Sequence, residues 1–192
     1  DATGEASDVI KAIDWCMQQN VTIISMSLGG GSYESWCDDN SILAQKANEA
    51  VLRGFHVVAA SGNTGLAHMM TPACASLVTS VGGTEIENGN ENVGTYSSMT
   101  EVTDILSTGT ADLMTLGGTI EQTTGTSVAA ATVSAGIALL EELSSLQPEA
   151  MQNLIRSTGE EITYEPEGGP SKIYPRINVL RAYNNETNSI NL

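Results

Sequence analysis

The residue best placed to do chemistry is Ser127, which follows a Gly-Thr dipeptide and opens the apolar run Val128–Leu140. This pattern predicts a helix that begins close to the serine. The first backbone N–H groups of a helix lack partners within it, and the helix dipole favours negative charge there. Such a serine could act as a nucleophile because a developing oxyanion would be stabilised. Serine is also an ordinary helix cap, so the motif alone leaves both interpretations open.

Two other segments end in glycine-rich turns that could hold functional groups. Both Val21–Gly31 and Phe55–Gly65 contain a short β-branched apolar run followed by glycines, which predicts a buried strand and then a turn. Functional groups gather at the carboxyl ends of strands in parallel α/β sheets. Asn63 lies at such an end, and its side-chain amide could donate to an oxyanion. Asparagine beside glycine is equally typical of a structural turn.

The elements that must position these residues follow from the apolar pattern. Helices alternate with short buried strands, which indicates the α/β class, and 192 residues favour one domain. Asp1–Gly4 is interpreted as a linker and Glu165–Pro175 as a loop. Strands are predicted at Thr22–Ser27, His56–Ala60 and Leu77–Val81, and helices at Ser7–Gln19, Ser41–Arg53, Ser127–Leu143 and Gln147–Ser157.

Taken in order, these motifs resemble those of the subtilisin-like serine peptidases, or subtilases, and especially bacterial secreted members that carry a Pro-Ala-Cys motif. The similarity extends from about Asp8 to about Ala182. It implies the later part of a three-layer fold, with a mostly parallel sheet and helices on both faces. Residues 1–192 would then be one portion of a catalytic domain. The motifs that carry the resemblance are Ser27–Gly30, Ala60–Gly65, Pro72–Cys74 with Ser76–Gly82, and Gly125–Ala129.

The resemblance also implies a role for each matching residue. Ser127 would be the nucleophile, and Asn63 would be the side-chain donor of the oxyanion hole. An extended substrate would pair with a strand edge and insert one side chain into a primary pocket, which Met70 would make shallow. The residues implied for substrate binding are Ser27, Leu28 and Gly29 on the edge and Ala60, Ser61, Gly62 and Met70 in the pocket.

The chain departs from the family pattern in one respect that concerns the mechanism. A subtilase needs an aspartate and a histidine before the nucleophile, in that order, and both precede the Ser-Leu-Gly-Gly strand in the family. The two histidines here, His56 and His68, both follow that strand. The expectation is therefore a complementary segment that supplies the Asp and His. The alternatives are a catalytically inactive relative that binds peptides or a partner chain, and a serine esterase.

Composition limits the partners and cofactors. The formal net charge is −16, from 23 acidic and 7 basic residues, which argues against nucleic acid as a partner. No apolar stretch is long enough to predict a membrane span. No cofactor is required, although structural calcium is possible at the oxygen-rich cluster of Glu85, Glu87, Asn88 and Asn90. The spacing of that cluster matches no specific calcium loop.

Three cysteines, Cys16, Cys37 and Cys74, lack the paired spacing of a zinc site. The resemblance to secreted members implies a disulfide between Cys37 and Cys74, and a secreted or extracytoplasmic protein. The alternative is free thiols in a reducing compartment.

Overall fold

The structure is a computed structural model that describes residues 4–166 and 169–190. Most of the predicted linker Asp1–Gly4 and part of the predicted loop Glu165–Pro175 therefore lie outside the described residues. The helices are α1 (Ala6–Cys16), α2 (Ile42–Leu52), α3 (Thr126–Glu141), α4 (Pro148–Ser157) and α5 (Val179–Ile190). The strands are β1 (Ile23–Met26), β2 (Gly30–Tyr33), β3 (His56–Ala60), β4 (Met69–Thr71), β5 (Thr79–Glu87), β6 (Asn90–Val93), β7 (Ile105–Thr108), β8 (Thr110–Met114), β9 (Ile120–Thr124), β10 (Glu160–Tyr164) and β11 (Lys172–Arg176).

One sheet of seven strands organises the described part of the chain. Its order is β1-β3-β5-β7-β11-β10, and β6 pairs with the second half of β5. From β1 to β11 the neighbouring strands are parallel, whereas β6 and β10 are antiparallel to their neighbours. Two short ribbons, β2–β4 and β8–β9, lie beside this sheet. The carboxyl ends of β1 and β3 are therefore adjacent, which brings the turns that follow them together.

Strand β3 is buried along its whole length because helices cover both faces of the sheet. Val57 and Ala59 pack into an apolar cluster with α1 and α2, whereas Val58 and Ala60 pack into a second cluster with α3 and α4. The three-layer, mostly parallel α/β fold expected from the sequence is therefore confirmed. Within residues 4–166 and 169–190, no helix is both long and apolar enough to cross a membrane.

The predicted loop Glu165–Pro175 is wrong at its end, where Lys172–Arg176 form β11. This strand pairs antiparallel with β10 along five residue pairs and joins β7 through Arg176. Lysine, proline and arginine in so short a segment favour a loop when read locally. The strand forms because buried Tyr174 packs against residues remote in the sequence, including Met99 and Leu106.

Candidate active site

Helix α3 places Ser127 in its first turn, at the sheet edge where β1 ends. The buried face of α3 packs across β1, β3, β5 and β7, which fixes the helix start relative to those strands. The hydroxyl of Ser127 donates to the carbonyl oxygen of Ser27 at 3.4 Å. The hydroxyl of Ser27 in turn donates to the carbonyl oxygen of Ser127 at 2.8 Å. Two residues 100 positions apart in the sequence are thus held side by side.

Asn63 lies in the turn after β3, and the residue before the serine fixes its amide. The Oδ1 atom accepts hydrogen bonds from the backbone N–H and from the hydroxyl of Thr126, each at 2.8 Å. The Thr126 hydroxyl also accepts from the Gly62 N–H at 3.2 Å. With Oδ1 engaged, Nδ2 is the group left to donate, and it makes no hydrogen bond to the described part of the chain.

The Asn63 amide nitrogen lies directly against the start of α3. A side-chain carbon added at Gly125 would lie 3.0 Å from Asn63 Nδ2, so only glycine allows this approach without displacing the amide. Ser127 is in the first turn of the helix, and its N–H has no acceptor among the described residues. Two hydrogen-bond donors, one from a side chain and one from the backbone, therefore lie at the start of α3, where Ser127 stands.

The segment Ser27–Gly29 connects β1 to β2 and is exposed. A side-chain carbon added at Gly29 would lie 2.8 Å from the Cβ atom of Met70. Backbone polar groups of an exposed, extended segment are available to pair with another extended chain. This segment lies beside Ser127 because of the contacts between Ser27 and Ser127 described above.

The Met70 side chain occupies the space between two segments predicted to bind substrate. Its sulfur would lie 3.4 Å from a Cβ added at Gly29 and 3.3 Å from a Cβ added at Gly62. Ala60 and Ser61 are buried, and the Ser61 hydroxyl has no hydrogen-bond partner among the described residues. The thioether therefore fills part of any recess between these segments.

Neither histidine makes a hydrogen bond to Ser127, whose hydroxyl bonds to Ser27 instead. Buried His56 pairs through Nε2 with Glu141 Oε1 at 2.8 Å, and Glu141 is the last residue of α3. About 21 Å of helix separates that residue from Ser127. His68 Nε2 lies 3.1 Å from the Thr64 hydroxyl. Both imidazoles are thus engaged elsewhere in the structure.

The acidic turn between β5 and β6 carries the residues considered for calcium. Glu85 accepts a hydrogen bond from the Thr95 N–H at 2.7 Å, and Glu87 pairs in register with Asn90. The described residues contain no group of three or more His, Cys, Asp or Glu side chains that could hold a metal ion. Calcium at this turn stays a prediction.

Cys37 and Cys74 form a disulfide, the pairing that the family resemblance implied. Both residues are completely buried, and the Cys37 N–H donates to the Cys74 carbonyl at 2.9 Å. The bond joins the loop after β2 to the turn after β4, and so braces the side of the molecule that carries Gly29 and Met70. The third cysteine, Cys16, is a half-buried free thiol on α1.

Sequence reasoning missed two groups that position the site. One is Thr126, which orients Asn63 although the two residues are 63 positions apart. The other is Gly94–Ser98, whose backbone holds the Asn63 turn through Gly62 and Gly65. No local pattern marks these residues, because their contacts depend on which strands become neighbours.

The fold is thus a mostly parallel α/β sheet with a serine in the first turn of a helix and an amide donor at the same helix start. The chain belongs to the Subtilase family (Peptidase S8), whose model matches residues 1–178. Relatives include subtilisin DY from Bacillus licheniformis, 29% identical over 81% of this chain and 56% of its own length. The major intracellular serine protease of Bacillus subtilis strain 168 is 32% identical over 79% of this chain and 46% of its own length.

Solved structures show the same fold. A cold-adapted subtilisin-like serine proteinase matches 89% of this chain and 61% of its own, with a TM-score of 0.72 at 25% identity. The prenylagaramide maturation protease PagA matches 98% of this chain and 70% of its own, with a TM-score of 0.78 at 19% identity. The chain spans about half the length of the subtilisins and the intracellular protease that it matches.

Proposed function

We propose that this chain is a portion of a subtilisin-like serine endopeptidase and that Ser127 is its nucleophile. The Ser127 oxygen attacks the carbonyl carbon of a peptide bond, the amine leaves with a proton, and water then hydrolyses the acyl-enzyme. The observation that carries the proposal is that the Asn63 amide nitrogen lies against the start of α3, the helix whose first turn contains Ser127. Thr126 holds the Asn63 amide with its nitrogen free beside the first turn of α3.

The two donors suit the charge that develops during acyl transfer. When the serine attacks, the carbonyl oxygen of the substrate becomes an oxyanion, which Asn63 Nδ2 and the Ser127 N–H would both stabilise. Fixed donors of this kind need no reorganisation in the transition state. Ser127 is only partly exposed, so water competes weakly for these donors.

The substrate would bind as an extended strand along Ser27–Gly29. Backbone hydrogen bonds would provide affinity, and side-chain pockets would provide specificity. Ala60, Ser61 and Gly62 would form one wall of the primary pocket. Because Met70 lies between Gly62 and Gly29, the pocket would be shallow and favour small side chains.

The general base and its orienting aspartate would come from a complementary segment. Both histidines of this chain have hydrogen-bond partners other than Ser127, and a serine without a base is a weak nucleophile. Within the described sheet, β1 pairs on one side alone. A parallel strand added on its open side would end next to Ser27 and therefore next to Ser127.

The surface around β1 supports the proposal that a complementary segment packs on the open side of this strand. Helix α3 contacts β1 through the Ser134 hydroxyl, which donates to the Ser25 hydroxyl at 2.8 Å. Beside that contact α3 exposes an apolar stripe, and unpaired strand edges flanked by apolar surface typically mark a place where another element packs. The residues of the stripe are Ala131, Ala135, Ala138 and Leu139.

A disulfide that is fully buried and joins two loops favours an oxidising compartment, so we place the protein outside the cytoplasm. One relative, from Bacillus subtilis, is named an intracellular serine protease.

A second function is favoured by the fact that both histidines have partners other than Ser127. A domain without a base could bind peptides through Ser27–Gly29 and leave them intact.

The test is intact mass spectrometry after treatment with a fluorophosphonate, first under native and then under denaturing conditions. A second polypeptide that co-purifies with the chain, together with one adduct that is lost in Ser127→Ala, would support the two-part peptidase. A lone chain without an adduct would contradict it and favour the binding domain. The variants His56→Gln and His68→Gln should retain the adduct, because neither histidine serves as the base.

A further inference from the structure

The residues Gly94–Ser98, here called the bridging segment, hold the turn that carries Asn63. The Gly65 N–H donates to the Tyr96 carbonyl at 2.7 Å, and the Ser98 N–H donates to the Gly62 carbonyl at 2.9 Å. The hydroxyl groups of Thr64 and Ser98 lie 2.8 Å apart. The backbone on both sides of Asn63 is therefore fixed by the bridging segment.

The side chain of Tyr96 extends from this segment towards the start of α3. Its half-buried ring lies on three glycines, Gly83, Gly94 and Gly109, and a Cβ atom at any of them would overlap the ring or the hydroxyl. The hydroxyl donates to the Thr84 carbonyl at 3.3 Å. This contact combines close packing against glycine backbone with a directional hydrogen bond.

Two further backbone hydrogen bonds connect the Thr84 carbonyl with Gly125, which lies two residues before the nucleophile. The Thr84 carbonyl that accepts from Tyr96 also accepts from the Gly109 N–H at 2.9 Å. The Gly109 carbonyl accepts from the Gly125 N–H at 2.8 Å. Gly125 precedes Thr126 and Ser127, so the Tyr96 hydroxyl packs against the backbone that anchors the start of α3.

We propose that Tyr96 is a positioning residue that sets the distance between the Asn63 amide and Ser127. Its carbonyl fixes the Asn63 turn, and its hydroxyl fixes the Gly109 backbone to which Gly125 is bonded. The inference rests on the proposed peptidase function and adds a residue that does not touch the substrate. Displacements of about 1 Å in a catalytic group can lower rates about 10²-fold, so an anchor shared by both groups matters for turnover.

The protonation state of Tyr96 suits this role. Burial, with a smaller contribution from the Glu85 carboxylate, raises the pKa of the Tyr96 hydroxyl to about 12. The hydroxyl therefore stays protonated, and able to donate to Thr84, throughout the neutral and moderately alkaline range.

The first test compares Tyr96→Phe with Tyr174→Phe in the assembly that contains the complementary segment. Tyr174, on β11, is a matched control because its buried hydroxyl also donates to a backbone carbonyl, that of Thr100 at 2.9 Å, and not to the Thr84 carbonyl that links to Gly109 and Gly125. Tyr96→Phe should lower kcat and the rate of fluorophosphonate labelling about fivefold and leave KM unchanged. Tyr174→Phe should leave all three unchanged. An unchanged kcat in Tyr96→Phe, or an equal loss in both variants, would overturn the proposal.

A second measurement separates this proposal from the proposed function. If the wild-type assembly neither cleaves peptides nor reacts with the probe, the peptidase proposal fails. The positioning role is then judged by the ¹H–¹⁵N signal of the Asn63 side-chain amide, identified by its absence in Asn63→Asp. That signal should shift in Tyr96→Phe and stay in place in Tyr174→Phe. A signal unmoved by Tyr96→Phe would overturn the positioning role.

Discussion

Asn63 and Thr126 are joined by two hydrogen bonds of 2.8 Å each, because one amide oxygen accepts both the N–H and the hydroxyl of the threonine. This arrangement determines which end of the amide is free. The nitrogen is left to donate at the start of α3, where the proposed chemistry needs a donor.

Asn63→Ala should therefore lower kcat about 10²–10³-fold with little change in KM, the range known for loss of one oxyanion-hole donor in subtilisin. Thr126→Val removes one of the two bonds that orient the amide and should lower kcat about fivefold. Thr158→Val is the control, since this buried hydroxyl donates to the Leu154 carbonyl at 2.7 Å and lies elsewhere. Steady-state kinetics on a peptide substrate would measure all three. Full activity in Asn63→Ala would contradict the assigned role.

Met70→Ala should widen the primary pocket. Removal of the thioether frees space between Gly29 and Gly62, so larger apolar side chains before the scissile bond should fit. We expect the ratio of kcat/KM for a phenylalanine substrate over an alanine substrate to rise about tenfold or more. Met114→Ala, at an exposed position on β8, should leave the ratio unchanged. An unchanged ratio in Met70→Ala would show that Met70 does not limit the pocket.

The Cys37–Cys74 disulfide should contribute substantially to stability. It closes a loop with a sequence separation of 37 residues, for which chain entropy gives about 4 kcal/mol. The double variant Cys37→Ala, Cys74→Ala should lose this amount in urea unfolding, whereas Cys16→Ala should lose much less. A reductant should lower the unfolding midpoint of the wild type and have no effect on the double variant. Equal midpoints with and without reductant in the wild type would contradict the prediction.

Arg156→Gln should destabilise the protein at neutral pH and much less at acidic pH. Burial raises the pKa of the Asp104 carboxyl, and hydrogen bonds from Ser80 together with the Arg156 charge oppose that rise. Loss of the arginine should raise the pKa of Asp104 further, at a cost of about 0.5–1 kcal/mol while the carboxylate is ionised, because the Arg156 side chain is about half exposed and solvent screens its charge.

The sign of this pH dependence follows from the raised pKa. A carboxyl whose folded-state pKa lies above the unfolded value stabilises the fold when protonated, and that contribution is lost as the pH rises through the folded pKa. The difference between wild type and Arg156→Gln should therefore be small near pH 4 and reach its full size at neutral pH. Urea unfolding at several pH values measures it. Arg53→Gln, which removes an exposed partner of Glu49, is the control and should show little dependence on pH.

Much of the fold could be predicted from local patterns. The strand His56–Ala60 and the helix after Gly125 could be predicted from their residues alone. Both elements are buried, and burial requires the apolar side chains that the sequence shows there. The strand at Lys172–Arg176 could not be predicted in this way, because its pairing with β10 and β7 depends on distant residues.

The sequence by itself determined that a serine opens a helix, that an asparagine follows a buried strand, and that both resemble subtilase motifs. These features depend on residue type and spacing. Only the tertiary structure decided that Thr126 orients the Asn63 amide, that Met70 lies between two glycines, and that His56 is engaged with Glu141. The physical reason is that hydrogen bonds and packing act over a few ångströms in space, and the order of the strands determines which distant residues come that close.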